Sequence, residues 1–199
     1  MDFYDVVNSR RSIRQFQDKP IPRDVLERIL DAGLKAPSSN HQRQWELMVL
    51  TDKARIEALA DLISPYPYRA REAKSPQQDM FRVAFPRQHS MVAEAACVIL
   101  PYFRQKYAFE DPKNEYGLWD YGAAWALVEN MLLAATAEGL GVGVHVPVKK
   151  ERVAIDELIT PKAGYFLPTL VVMGYASADA ETPRQVEATV AKKVHWNAW

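Results

Sequence analysis

The chain has 199 residues, 48% of them hydrophobic and 25% charged, a length and balance that suit one compact domain (1–199) with enough chain to bury a core. Its 25 basic side chains match its 25 acidic ones, so no net field draws it to nucleic acid or an anionic membrane, and neither partner is expected. Cys97 is the single cysteine, which excludes an internal disulfide framework and a cysteine-built zinc cluster.

The opening Met1–Asp5 is acidic and has no apolar core, so no signal peptide is expected. The most hydrophobic stretch, Leu127 to Val148, is broken by Glu129, Asn130, Glu138, glycines and Pro147 and makes a poor membrane span. The expectation is a reduced, cytoplasmic protein.

In chain order, residues 2–9 read as a short helix with Phe3, Val6 and Val7 on one side. Ile21-Pro22 opens a second helix to about Lys35, on the helical recurrence of Val25, Leu26, Ile29, Leu30 and Leu34, and Pro37 stops it. Trp45–Leu50 reads as a strand, and Thr51 caps the helix that carries Ile56, Leu59 and Leu62. Residues 64–91, rich in proline and aromatics, suit a partly helical excursion over a site. Ala95–Phe103 reads as a strand buried on both faces, with Pro101 marking the end of regular pairing.

Beyond a polar stretch at 104–117, Trp119–Glu138 is a long helix apolar almost all round, which must be buried centrally or in a subunit interface. Gly139 ends it. Val142–Val148 is extended, Lys150–Ile159 helical and Leu167–Tyr175 a last strand. The polar tail closes with Val194-His195-Trp196-Asn197-Ala198-Trp199, whose tryptophans need a docking surface, a second copy of the chain being one candidate. The alternation of elements implies a mixed sheet with helices on both faces.

Three segments carry chemistry. Ser9–Arg14 places three guanidinium groups and two hydroxyls within six residues, a donor set that matches phosphate oxygens. In an extended chain Arg10, Ser12 and Arg14 share one side; the alternative is a solvated basic turn. Ala36–Trp45 is a loop dense in side-chain donors, read either as a ligand-contact loop or as a plain polar connection. In Glu138–Pro147 the glycines follow a helix and precede a strand, the reverse of the dinucleotide order, but they give a backbone that a ligand can approach closely. The four histidines show no metal spacing, and Cys97 reads as an inert core residue.

Taken in order, R-R-S-I-R-Q-F, A-P-S-S-N-H-Q-R-Q-W-E-L-M-V-L, E-N-M-L-L-A-A-T-A-E-G-L-G-V-G, L-V-V-M-G-Y-A and V-H-W-N-A-W resemble the nitroreductase family of FMN-dependent oxidoreductases. The resemblance implies an α+β fold with a mixed central sheet flanked by helices, an intertwined homodimer and FMN sites across the subunit interface. It places Arg10 and Ser12 at the FMN phosphate and ribityl oxygens, Arg11 in the same segment, and Arg14 at the flavin N1/O2 edge. From the other subunit Pro37, Ser38 and Ser39 would line the ring, with Asn40 and His41 nearby.

Many members carry N-x-Q-P-W here; His41 and Arg43 stand at its Asn and Gln positions. Val144, His145, Val146 and Pro147 would lie near flavin N5, and Arg184, Lys192 and Lys193 are candidates to complete the phosphate site. The implied activity passes a hydride from NADH or NADPH through FMN to a small electron-poor acceptor such as a nitroaromatic or quinone. Dehalogenation, enone reduction, flavin destruction and flavin binding without turnover are the alternatives. Tyr66, Tyr68, Arg69, Arg71 and Phe81 would choose among them.

Overall fold

The structure, a computed structural model, describes residues 1–67, 72–107 and 116–199; Tyr68, Arg69 and Arg71 lie outside them. Asp2 starts α1 (Phe3–Ser9) by accepting the Asp5 N–H at 2.9 Å. α2 (Arg23–Leu34) follows Pro22 and buries Leu26 and Ile29. After β1 (Trp45–Leu50), Asp52 and not the expected Thr51 caps α3 (Lys53–Ala60), because the Asp52 carboxylate reaches the Arg55 N–H at 3.0 Å and Thr51 is one residue too far back. The excursion holds two short helices, α4 (Pro76–Ala84) and α5 (Gln88–Ala93).

The remaining elements are β2 (Cys97–Arg104), α6 (Tyr116–Ala137), β3 (Gly141–His145), α7 (Lys149–Ile159), β4 (Tyr165–Phe166), β5 (Leu170–Gly174) and α8 (Val190–Lys193). The sheet order is β1-β2-β5-β3, with β4 paired to β2. Every ladder among the described residues is antiparallel; the parallel component expected of a mixed sheet is the isolated bridge between Ser12 and Val142. Pro101 does not end the ladder to β1, which runs on to Trp45 opposite Phe103. On the other flank the β5 ladder does stop, at Ile99, and β4 takes over at Phe103. β3 is shorter than the expected 142–148 because Pro147 has no N–H to donate and α7 opens two residues later.

Two apolar clusters pack on the sheet. One gathers Ile56, Leu59, Leu100, Ile155 and Leu170; the other gathers Ile29, Ile99, Leu127, Met131 and Val171. Cys97, fully buried in β2, has its thiol pushed up to about 12 by burial, the inert state expected of it. Three polar residues in or just beyond α6 find partners. The Asn130 amide donates to the Ala32 carbonyl at 3.1 Å, Thr136 donates to the Leu132 carbonyl, and Glu138 accepts from Arg28 at 2.8 Å. The first turn of α6 is less covered: Leu118 and Trp119 are 52% and 50% exposed.

Candidate functional site

The arginine segment lies across β3. The Ile13 N–H donates to the Val142 carbonyl at 2.7 Å, and this contact needs the β3 glycines. A Cβ at Gly143 would stand 2.8 Å from the Ile13 carbonyl oxygen, and one at Gly141 would stand 2.9 Å from the Ile13 Cβ. These glycines therefore admit the chain's own arginine segment, a correction to the expectation that they admit a ligand.

Arg10, Ser12 and Arg14 do share one side: with Arg11 they line a cavity of about 140 Å³. Met80, Thr182, Pro183 and Gln185 face them across it. The Arg11 guanidinium is engaged locally, donating to the Asn8 and Arg10 carbonyls at 2.8 Å each. Arg10 meets Glu129 of α6 at 3.7 Å. Arg14 is half-buried; burial lowers its pKa, and its Nη1 donates to the Ser12 carbonyl at 3.3 Å. Its Nε is buried without a partner among the described residues. An unmet donor of this kind costs about 1–3 kcal/mol, a cost that an anionic ligand would remove. The orphan Arg14 Nε, with Arg10, Arg11 and Ser12 on the same cavity, makes a donor set suited to a phosphate.

The second donor-rich segment stands elsewhere. Pro37 is exposed, and Ser39–His41 make a 3₁₀ turn. Asn40, His41 and Arg43 take left-handed backbone angles (φ 50°, 53° and 43°), and the Arg43 N–H donates to the Ser38 hydroxyl at 3.0 Å. Backbone strain of order 1 kcal/mol per residue is typical of loops shaped for a ligand. The side chains of Asn40, His41 and Arg43 are exposed.

This loop packs near Asp120 and Ala123 of α6, whereas Arg10 meets Glu129. Nine residues of helix separate Asp120 from Glu129, about 14 Å, so one chain does not bring the two segments into one cavity. Sequence reasoning missed Lys106 and Asp120, which with Gln42 of the donor-rich loop line a cavity of about 180 Å³ beside Ser39 and Asn40. Lys106 donates to Gln42 Oε1 at 2.6 Å, and burial raises the Asp120 pKa against the pull of Lys106. No spacing in the sequence links these three.

At the end of β3, Val144 packs on the α6 side and His145 points the other way, 2% exposed. Its ring nitrogens face Gln88 Oε1 at 2.8 Å and Glu151 Oε2 at 3.0 Å, while its carbonyl accepts from Thr169. Glu151, 1% exposed, accepts from the Ser64 N–H at 2.8 Å, the Val148 N–H at 3.0 Å and the Tyr66 hydroxyl at 3.1 Å. Burial raises its pKa, but the Ser64 and Val148 amides and His145 outweigh burial and hold it below the usual carboxylate value. Burial lowers the His145 pKa, with Glu151 opposing. The imidazole is thus committed inward, away from any surface ligand. Val146 is exposed and Pro147 buried. The one signal for Glu151 was its place three residues after Val148, where a glutamate reaches back to a helix start.

The basic tail residues do not reach the arginine cavity. Asp79 of α4 captures Arg184: Oδ2 accepts its backbone N–H at 2.8 Å and lies 3.6 Å from its Nε. Lys192 pairs with Glu187, and Lys193 is exposed on α8. The tail's contribution to the cavity is instead Thr182, Pro183 and Gln185. No described helix is long and apolar enough to cross a membrane.

An α+β chain whose sheet seats an arginine-lined, phosphate-sized cavity is the class of protein that fold and site define. Residues 7–175 match the Nitroreductase family, and the chain belongs to that family of oxidoreductases. It is 25% identical over 202 residues to a putative NADH dehydrogenase/NAD(P)H nitroreductase of Methanothermobacter thermautotrophicus, covering all of this chain and 88% of that protein. It is also 25% identical over 185 residues to the iodotyrosine deiodinase of Danio rerio, covering 91% of this chain and 62% of that one. Among solved structures, a nitroreductase with bound FMN from Bacteroides fragilis superposes with a TM-score of 0.70 at 20% identity, covering 100% of both chains, a likeness of fold.

Proposed function

We propose that the chain is an FMN-dependent oxidoreductase that takes a hydride from NADH or NADPH and passes it to a small electron-poor acceptor such as a nitroaromatic or quinone. The observation that carries this reading is the buried Nε of Arg14, without a partner among the described residues, beside a cavity lined by Arg10, Arg11 and Ser12. When bound, the flavin supplies the redox chemistry. The residues of the chain supply the rest. Arg10, Arg11 and Ser12 would hold the phosphate, whose charge of nearly two at neutral pH needs several donors once it leaves water.

Arg14 is a fixed cation in a site of restricted hydration, placed to offset negative charge that develops on a bound electron carrier. An amide given from the end of β3 falls to Val146, because Pro147 has none. Pro37, Ser38, Ser39, Asn40, His41 and Arg43 would line the ring from a second copy, and two observations support such a homodimer. The two segments are separate within one chain, and apolar surface stands open on Leu118, Trp119, Trp196 and Trp199. Arg184, Lys192 and Lys193 take no part in the proposed phosphate site of a single chain.

The test is a visible spectrum of the purified protein followed by anaerobic titration with each nicotinamide. A yellow protein bleached by NADH or NADPH is expected; a protein that takes up no FMN, or whose flavin neither donor reduces, overturns the reading. The likeness to a deiodinase favours reductive dehalogenation as a second reading. Reoxidation of the reduced protein by a halogenated phenol faster than by a nitroaromatic would select it.

A further inference from the structure

We infer that Asp79 is a positioning residue for the phosphate end of the cavity, seating residues 181–185 as a strap across the arginine segment. This rests on the phosphate-binding reading of Arg10–Arg14, but it concerns a carboxylate outside that cluster. Asp79 lies in the first turn of α4 and is 8% exposed. Its two oxygens are divided between two tasks. Oδ1 accepts from the Arg82 guanidinium at 3.0 Å, and Oδ2 accepts the backbone N–H of Arg184 at 2.8 Å. Arg82 also reaches Glu181, and Arg184 Nη2 donates to the Ala73 carbonyl at 3.0 Å. From the other side, the Glu181 N–H donates to Gln15 Oε1 at 3.0 Å, which ties the strap to the chain just beyond Arg14.

The strap is therefore fastened at Glu181 and Arg184, and Thr182, Pro183 and Gln185 face the arginines. Thr182, Arg184 and Gln185 are exposed, so these polar bonds, not apolar burial, hold the strap down. Met80, next to Asp79, lines the same cavity, so α4 gives both the fastening and part of the wall.

Electrostatics and positioning predict opposite signs. A carboxylate near an anion site repels the anion, so neutralising Asp79 would tighten phosphate binding if charge alone mattered. A seated strap predicts weaker binding, and only for a ligand that carries the phosphate.

The experiment titrates the full-length apoprotein with FMN and with riboflavin, which lacks the phosphate, following flavin fluorescence. The wild type is expected to prefer FMN. Asp79→Asn is expected to weaken FMN about tenfold, the loss of one charge-assisted contact, and riboflavin less than about twofold, so that the preference collapses. Arg82→Met, at a side chain 40% exposed, gives the same loss at smaller size and decides the matter should Asp79→Asn not fold. FMN bound equally or more tightly by either folded variant overturns the inference, as does an equal loss for both flavins. A wild type that takes up neither flavin overturns the cofactor reading itself, and both fall.

Discussion

The arginine segment and the 38–43 loop have similar donor densities but opposite structural situations. Arg10–Arg14 is laid along β3, anchored by the Ile13–Val142 hydrogen bond and by glycines that leave it room. The Ser38–Arg43 loop is held by a local bond, with three left-handed residues and its Asn40, His41 and Arg43 side chains in solvent. One lines a cavity closed within a single chain; the other is a strained loop open to solvent. The difference teaches that donor density alone does not order a segment: the arginines are held by the sheet, whereas the loop keeps its side chains free to adapt, as the second copy in the proposed function would require.

The largest effect that would break this contrast is at the underside of β3. Glu151→Ala leaves His145 and the Ser64 and Val148 amides without their acceptor, and removal of one partner from a buried pair costs about 3–5 kcal/mol. The loss is read by urea unfolding, and an unchanged midpoint would deny the network its role.

The same carboxylate gives a pH dependence. Its pKa is held below the ordinary 4.5 in the folded chain, so the unfolded chain binds the extra proton first. The stability it contributes is complete above pH 4.5 and declines as the pH falls through its lowered folded value, which acid unfolding followed by circular dichroism measures. Glu151→Gln should flatten that decline.

Next in size is Gly143→Val, which drives a side chain into the Ile13 carbonyl and should cost about 1–3 kcal/mol in melting experiments while also releasing flavin. Retained flavin with a lowered melting temperature would show that the seat matters to the fold alone. Arg14→Met separates the two effects more cleanly. It removes a buried unmet donor, so the apoprotein should be no less stable, yet FMN affinity should fall about 10–100-fold, from lost charge-assisted hydrogen bonds worth about 1.5–3 kcal/mol. The smallest effect belongs to the loop: His41→Asn with Arg43→Gln should move unfolding free energy by less than about 0.5 kcal/mol and show up only in the KM for acceptor.

Much of the site was legible because its signals are local. The alternation of Arg10, Ser12 and Arg14 follows from strand geometry alone, and structure places the three on one cavity. The starts of α1, α2 and α3 lay near caps and a proline, with Asp52 displacing Thr51 by a single residue, whereas α6 is already helical at Tyr116, three residues before the expected Trp119, and the short α8 in the tail was not foreseen. The fate of Arg184 was not legible. It is a basic tail residue like Lys192, and only the fold brings the Asp79 carboxylate, 105 positions earlier in the chain, against it. Lys106 and Asp120 were missed for the same reason, their proximity to the loop at Gln42 being long-range.

By itself, then, the sequence determined the elements, the phosphate-matching donor set and the family resemblance, because periodicity, capping and residue chemistry act over a few neighbouring positions. Tertiary structure alone decided that the β3 glycines make room for Ile13, that His145 faces inward to Glu151, and that Asp79 claims Arg184. Those outcomes depend on which surfaces pack together, and close packing selects among partners that no spacing along the chain distinguishes.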